Sequence, residues 1–430
     1  MKAILVTFGS RGDVHPMLGL GQALQARGHR ALVLTNPAFQ ADVEQAGLEF
    51  VPVGTQDDYR HTVAHPKLWH PVDGLGVMWR YLLRPALRPT FEALRWLCRP
   101  AADSGPGMAP LVLASPLAMG ARVAQEALGI RLVSTYTSAM MLRSVQDPLT
   151  IAQWRVPGYL PHWARRGIWA LLDRTKLDPL VKPALEALRH SQGLAPLAGP
   201  HRAVFGPWLH SPLGGLTLFP PWFAATRSDW PAQVQPGTFP LYDDPLPAPV
   251  DGNAALGAEL QAFMDAGPAP VVFMPGSAQQ GTEGFFRSAV AACGQLGVRG
   301  VLLGHSHAVD KGSLPAAIWS AAYFPFARLL PRARAIVHHG GVGTSAQALR
   351  AGIPQLVWPQ AYDQFDNAMH LERLGVGRRL LSHPLETAEL VAQLRALEHE
   401  PSVRQACQRH AQMLSAGSLA PACAWLETLA

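Results

Sequence analysis

The stretch AILVTFGSRGDVHP, residues 3–16, decides the fold. Ala3 to Phe8 is a short, uncharged, mostly apolar run closed by Gly9, the pattern of a strand buried on both faces. A glycine-containing loop follows, and an apolar-periodic segment from Pro16 to Arg27 predicts a helix. Strand, loop and helix in that order bring backbone N–H groups and loop side chains together at the strand's C-terminal end. The loop lacks G-x-G-x-x-G spacing, so dinucleotide binding is not indicated. The rhythm then repeats: strand-like ALVL (31–34), a helical 37–46, EFVPV (49–53), LVLAS (111–115), a helical 117–128 and RLVSTY (131–136). Strands alternating with helices predict βαβ units and a parallel sheet.

Between 227 and 255 six prolines interrupt the pattern, as in an interdomain linker. The βα rhythm then restarts with VVFMPGS (271–277), GVLLG (300–304), AIVHHGG (335–341) and QLVWP (355–359). The expectation is an α/β protein of two Rossmann-like domains, 1–226 and 256–415. Residues 227–255 would join them, and a closing helix in 416–430 would pack back on the first. Such domains present strand C-termini to a shared cleft. A length of 430 residues fits two domains better than one.

Only 15% of the chain is charged, against roughly 25% in a typical soluble domain. The net charge is 36 − 30 = +6, but no basic run is longer than a pair such as Arg165-Arg166, which argues against a nucleic-acid partner. Four cysteines share no C-x-x-C spacing and no secretory leader precedes them, so a cytoplasmic location is expected. Ala203–Thr226 carries no charged residue, yet Pro207, Pro212, Pro220 and Pro221 break it, which predicts buried loop and short strand rather than a membrane span. Nine of the twelve tryptophans lie between Trp69 and Trp230. Arg80, Arg84 and Arg88 recur at helical spacing beside Trp79, Leu83 and Leu87, although Pro85 and Pro89 argue against a long helix. Such segments line an apolar pocket, rest on a membrane surface, or simply pack on the sheet.

Four loops carry candidate chemistry. In the first, Asp13 is positioned to accept a proton, with His15 as its rival; an acid at a helix start is equally a capping residue. In the second, His338-His339-Gly340-Gly341-Val342-Gly343-Thr344 runs from a strand into a helix. Its glycines and free N–H groups suit an anion, and His339 and Thr344 can donate to phosphate. A zinc reading of the His pair, or of His305 and His307, lacks further ligands at suitable spacing. In the third, Asp363 and Gln364 offer adjacent carboxylate and amide groups suited to sugar hydroxyls. Ser277, after Pro275-Gly276, is a weaker phosphate candidate.

Taken in order, GSRGDVHP (9–16), PGS (275–277), YFPFARLLP (323–331), HHGGVGTSAQAL (338–349) and PQAYDQFDNA (359–368) resemble the inverting nucleotide-sugar glycosyltransferases of the GT-B fold. The likeness is to the GT1-like bacterial branch with sterol and antibiotic glucosyltransferases. Outside those motifs, HPKLWHP (65–71), PWLHSPLGGLTLFPPWFA (207–224) and DWPAQVQPGTFPLYDD (229–244) resemble the rhamnosyltransferases of rhamnolipid synthesis.

The resemblance implies roles. Asp13 takes the catalytic-base position, which is histidine in many relatives and aspartate in this branch. His339 contacts the donor diphosphate, aided by Ser277, Gly341, Gly343 and Thr344, while Asp363 and Gln364 hold the donor sugar. Tyr323 stacks on the nucleobase. Phe326 replaces a base-contacting glutamine of plant enzymes, so thymine and uracil both stay open. Trp69, Trp79, Trp208 and Trp222 fall in the acceptor region.

No cofactor or metal is implied, and the sequence has no D-x-D pair to hold one. The co-substrate would be dTDP-L-rhamnose or another nucleotide-sugar. The acceptor would be a lipid, with peripheral contact at the inner face of the cytoplasmic membrane and a partner enzyme supplying it. An ordinary aspartate, with a reference pKa of about 3.9, is ionised at neutral pH, so Asp13 would need no special tuning. Glucosyl transfer to a lipid, sterol or polyketide is the main alternative. A nucleotide-sugar epimerase, with no need for a large apolar region, and a non-catalytic binding protein are the others.

Overall fold

The computed structural model describes residues 1–99, 109–147, 150–151, 154–242, 253–276, 282–304 and 314–430. Among them, β1 (Lys2–Val6), β2 (Arg30–Thr35), β3 (Glu49–Pro52), β4 (Leu111–Ala114) and β5 (Arg131–Tyr136) belong to one sheet. β6 (Thr150–Ile151) and β7 (Trp154–Arg155) form a separate antiparallel pair. β8 (Gly215–Thr217) and β9 (Val234–Gln235) complete the first sheet, in the order β3-β2-β1-β4-β5-β8-β9. Every pairing in it is parallel.

The second sheet holds β10 (Val271–Met274), β11 (Gly300–Leu303), β12 (Ile318–Ala321), β13 (Ala335–His338), β14 (Gln355–Val357) and β15 (Gly377–Arg379). Its order is β12-β11-β10-β13-β14-β15, again wholly parallel. The α/β reading of two parallel-sheet bodies therefore stands.

Alternation along β1 shows why helices must cover both faces of the first sheet. Ala3 and Leu5 enter one core with Leu20 and Leu24, while Ile4 and Val6 enter another with Phe91 and Trp208. A strand apolar on both sides has no face to offer water.

The chain separates into two compact units, Met1–Tyr242 with Ser418–Ala430, and Asp243–Gly417. The stretch 227–242, read as the start of a linker, carries β9 and buries Trp230, Phe239 and Tyr242. Residues 243–252 of that linker lie outside the described residues. The closing helix Ala420–Thr428 buries Ala422, Cys423 and Leu426 in the core beneath the first helix. At its edge Arg27 donates to Glu427 at 2.6 and 2.7 Å, and the His29 ring lies 2.7 Å away.

Two helix expectations are corrected. The first helix begins at Arg11, not Pro16, because Ser10 caps it, and Pro16 sits inside. Pro85 and Pro89 do not prevent a long helix either. Gly74–Met78, the π-turn Trp79–Leu83 and Arg84–Leu97 follow without a break, and the Arg84 N–H reaches the Trp79 carbonyl. A one-residue bulge just before Pro85 accommodates a residue that has no N–H to donate. All four cysteines are free thiols, and no helix among the described residues is long and apolar enough to cross a membrane.

Apolar burial and the ion pairs of the closing helix can be weighed against each other. Leu426→Ala is expected to cost about 2–5 kcal/mol, the usual range for a core leucine. Glu427→Ala is expected to cost less, with a loss that shrinks in salt. Urea midpoints of both variants check this order.

Candidate active site

At the C-terminal end of β1, Ser10 and Asp13 close a capping box. The Ser10 hydroxyl accepts from the Gly12 N–H at 3.2 Å, and the Ser10 N–H donates to Asp13 Oδ2 at 2.8 Å. The Ser10 hydroxyl also donates to that oxygen at 3.3 Å, and Thr7 Oγ1 donates to the Asp13 carbonyl at 3.1 Å. Base candidate and cap are thus the same residue. Gly9 is required here: its φ is +139°, and a Cβ would lie 2.1 Å from Asp13 Oδ2.

Burial pushes the Asp13 carboxyl up to about 6, against the lowering effect of the Ser10 N–H and hydroxyl. The side chain keeps some open surface, yet protein atoms crowd its carboxylate densely enough to remove most of the water that would favour charge. Asp13 is therefore held above an ordinary aspartate, although the expectation was only that it would need no such tuning.

His15 lies half a turn further on. Its Nε2 is 3.6 Å from Asp42 Oδ2, and its ring meets Tyr242 edge-on at 5.1 Å. Arg11 donates to the same carboxylate at 3.1 and 3.3 Å. Burial works against charge on Asp42, but His15 and Arg11 outweigh it and hold the carboxyl below its usual range.

In the second unit β13 leads into the His338-His339 loop. His338 Nδ1 accepts from the Gly340 N–H at 3.1 Å, which assigns the proton to Nε2, 3.0 Å from Gln355 Oε1. With both nitrogens spent internally, His338 is not a metal ligand.

The His339 ring is held between two glycines. A Cβ on Gly341 would sit 2.5 Å from its Nε2, and one on Gly276 would sit 3.4 Å from its Nδ1. Burial pushes His339 down to about 4, partly opposed by the Met274 backbone. At neutral pH it is a neutral donor rather than a cation. The helix Val342–Ala351 starts here without a side-chain cap, Thr344 is buried in its first turn, and the space beyond Gly343 is open. Uncapped N–H groups at a helix start suit an anion.

The loop after β14 bends through Tyr362, whose φ of +56° is the single positive value among described non-glycine residues. Gln364 Oε1 accepts from the N–H groups of Gln360 and Ala361 at 2.8 and 3.2 Å, so that oxygen shapes the loop. Asn367, fully buried, donates to Asp363 Oδ2 and to the Gly340 carbonyl, each at 2.9 Å. One amide therefore joins the His339 loop to the Asp363 loop. Sequence reasoning passed over it, although its i+4 spacing from Asp363 on one helix face was the available signal.

Tyr323 and Phe326, both half-buried, follow β12 and flank the core residue Phe324. Because β12, β13 and β14 are parallel, their three loops leave one edge of the sheet. Ser277, His305 and His307 lie outside the described residues.

The tryptophan expectations divide. Trp79 and Trp208 are core residues, 3% and 1% exposed, with no ring face left for an acceptor. Trp208 donates to Glu126 at 3.0 Å under the guanidinium groups of Arg122 and Arg189. Trp69 and Trp222 are half-buried, Trp222 edge-on to Phe239. Large rings that bridge sheet and helix are absorbed by packing first.

Comparison with known proteins gives this geometry a class. Residues 3–146 match the Glycosyltransferase family 28 N-terminal domain, and residues 296–423 match the Erythromycin biosynthesis protein CIII-like C-terminal domain. Glycosyltransferase GtfC of Amycolatopsis orientalis is 30% identical, over 94% of this chain and 91% of its own. The O-mycaminosyltylonolide 6-deoxyallosyltransferase of Streptomyces fradiae is 29% identical, over 97% and 94%. The structure of spinosyn rhamnosyltransferase SpnG complexed with thymidine diphosphate covers all of both chains, with a TM-score of 0.63 at 22% identity.

The chain belongs to the glycosyltransferase family 28/EryCIII-like GT-B superfamily. It is a glycosyltransferase.

The raised Asp13 has a consequence for stability. Its folded value of about 6 exceeds the unfolded value of about 3.9, so its contribution is full below about pH 4 and is lost as pH rises through 6. Asp13→Asn is therefore expected to gain Tm relative to the parent between pH 4.5 and pH 8. Calorimetry at both values measures that difference.

Proposed function

We propose that this enzyme transfers L-rhamnose from dTDP-L-rhamnose to a 3-(3-hydroxyalkanoyloxy)alkanoic acid, giving a mono-rhamnolipid with inversion at the anomeric carbon. The observation that carries the transfer chemistry is Asp13, held by Ser10 at a sheet edge with its carboxyl raised to about 6. The donor reading is supported by the SpnG complex with thymidine diphosphate. The acceptor reading rests on the resemblance of 65–71, 207–224 and 229–244 to rhamnolipid-forming enzymes.

In the proposed reaction Asp13 takes the acceptor hydroxyl proton as the oxygen attacks the anomeric carbon and the bond to the diphosphate breaks. A carboxylate near pH 6 is a stronger base than one near 4, yet remains ionised at neutral pH. Charge develops on the departing diphosphate, where neutral His339 donates a hydrogen bond and the N–H groups around Gly341, Gly343 and Thr344 face it. The resemblance also gives Ser277 a part in binding the diphosphate. Asp363, oriented by Asn367, and Gln364 hold the sugar, and Tyr323 and Phe326 pack against the base. The 1–226 region serves the acceptor through Trp69 and Trp222, and 256–415 the donor. The enzyme works against the cytoplasmic membrane, with a partner enzyme supplying the lipid.

Asp13→Asn is expected to lose about 10²–10⁴-fold in kcat with little change in donor KM. Rate at wild-type level would remove the base assignment and promote His15 with its Asp42 partner. In the parent enzyme kcat/KM is expected to rise with pH around 6 and level off above, as Asp13 ionises. Asn367→Ala is expected to raise donor KM about tenfold to a hundredfold, the effect of losing a hydrogen bond to a charged group. Mass spectrometry of products from dTDP- and UDP-sugars with hydroxyacyl lipids tests the substrate pair. Glucosylated product alone would favour glucosyl transfer instead.

A further inference from the structure

The segment between β5 and β8 leaves the same sheet edge as the Asp13 loop, because β1 and β5 are parallel members of one sheet. Its buried side chains tie it to the rest of the unit. Arg165 donates to the Val145 carbonyl at 2.6 Å and to the Gly158 carbonyl, fastening the helix His162–Leu172 to the loops beside it. Arg143 lies 4.2 Å over the Trp169 ring and donates to Asp173 at 2.8 Å.

The outer side is different. Trp154 is 76% exposed, Tyr159 86%, Trp163 75% and Leu171 63%. A lone exposed apolar residue is ordinary, but two tryptophans, a tyrosine and a leucine exposed within eighteen residues are a concentration that packing does not account for. Exposed Arg155, Arg166, Arg174 and Lys176 accompany them. No Asp or Glu occurs from Pro148 to Leu172.

The acids that adjoin the segment are already engaged. Asp147 pairs with Arg155 and Arg227, and Asp173 with Arg143. Asp178 accepts from the Val204 N–H, and Asp73 pairs with Lys67 while feeling Lys176. The outward face is therefore aromatic and net cationic. Rings with an apolar body and a polar edge settle at headgroup depth, and cations beside them attract anionic lipid.

We propose that residues 154–176 dock the enzyme on an anionic phospholipid bilayer, with Trp154, Tyr159 and Trp163 in the headgroup layer and Arg166, Arg174 and Lys176 on lipid phosphates. The inference deepens the membrane and lipid-acceptor reading above and rests on it for its purpose, since an acceptor leaving the bilayer would meet the edge that carries Asp13.

Two assays on the full chain separate this inference from that reading. In the first, protein is sedimented with phosphatidylglycerol–phosphatidylcholine vesicles, with pure phosphatidylcholine vesicles as the comparison. Binding is expected with the anionic vesicles only, weakening as salt rises. The Trp154→Ser/Trp163→Ser/Leu171→Ser variant is expected to lose at least tenfold in vesicle affinity, and Arg166→Glu/Lys176→Glu at least as much. These side chains are exposed, so circular dichroism is expected to stay unchanged; a variant that misfolds is replaced by the single Trp163→Ser change.

In the second assay, transfer to detergent-dispersed acceptor is expected to be the same for parent and variants. Vesicle binding that ignores lipid charge, or survives in both variants, overturns the proposal. So does absence of binding to lipid with capture of an acceptor-supplying protein by this face instead. Vesicle binding as expected without transfer to any hydroxyacyl lipid would leave docking in place and remove the acceptor reading.

Discussion

Parallel pairing governs this protein. When all strands of a sheet run the same way, every crossover returns along the outside, and every strand-to-helix loop collects on one edge. Hydrogen-bond geometry thus concentrates the chemistry. In the first unit that edge carries the Asp13 loop and the segment after β5. In the second it carries the loops of Tyr323, His339 and Asp363, drawn from positions about forty residues apart in sequence. Neither edge needs a dedicated scaffold, because the requirement to bury both faces of each sheet already provides it.

Within those edges helix starts set the local electrostatics. Ser10 and Asp13 satisfy each other's backbone needs, and Gly9 leaves the space in which the carboxylate rests. The same crowding that anchors Asp13 also removes water and raises its pKa, so structural capping and basicity have one origin. His339 shows the opposite sign of the same effect, since burial favours its uncharged form. An acid made more basic and a histidine kept neutral are two consequences of desolvation on groups of opposite charge type.

Much of the architecture is legible in the sequence. The strands at 31–34, 131–136, 300–304 and 335–338 announce themselves as apolar β-rich runs between glycine loops, and the motif order carried the glycosyltransferase class. Other features were hidden for identifiable reasons. Pro16 masked the true start of the first helix, because a capping box three residues wide outweighs one missing hydrogen bond. Pro85 suggested a break where a π-turn absorbs it. Asn367 looked like an ordinary helix residue, since its two acceptors, Asp363 and the Gly340 carbonyl, meet only after β13 and β14 pair.

The sequence alone determined the sheet class, the glycine positions and the loop that carries both candidate bases, Asp13 and His15, because these depend on local periodicity, allowed φ values and motif order. The tertiary structure alone decided which aromatic residues face outward. Trp79, Trp163 and Trp208 have similar neighbourhoods in sequence, yet two are sealed in the core and one is exposed. Burial is a property of what packs against a side chain from distant segments, and no local pattern contains it. The same holds for the ionisation of Asp13 and His339, which is set by the density of atoms that folding brings around them.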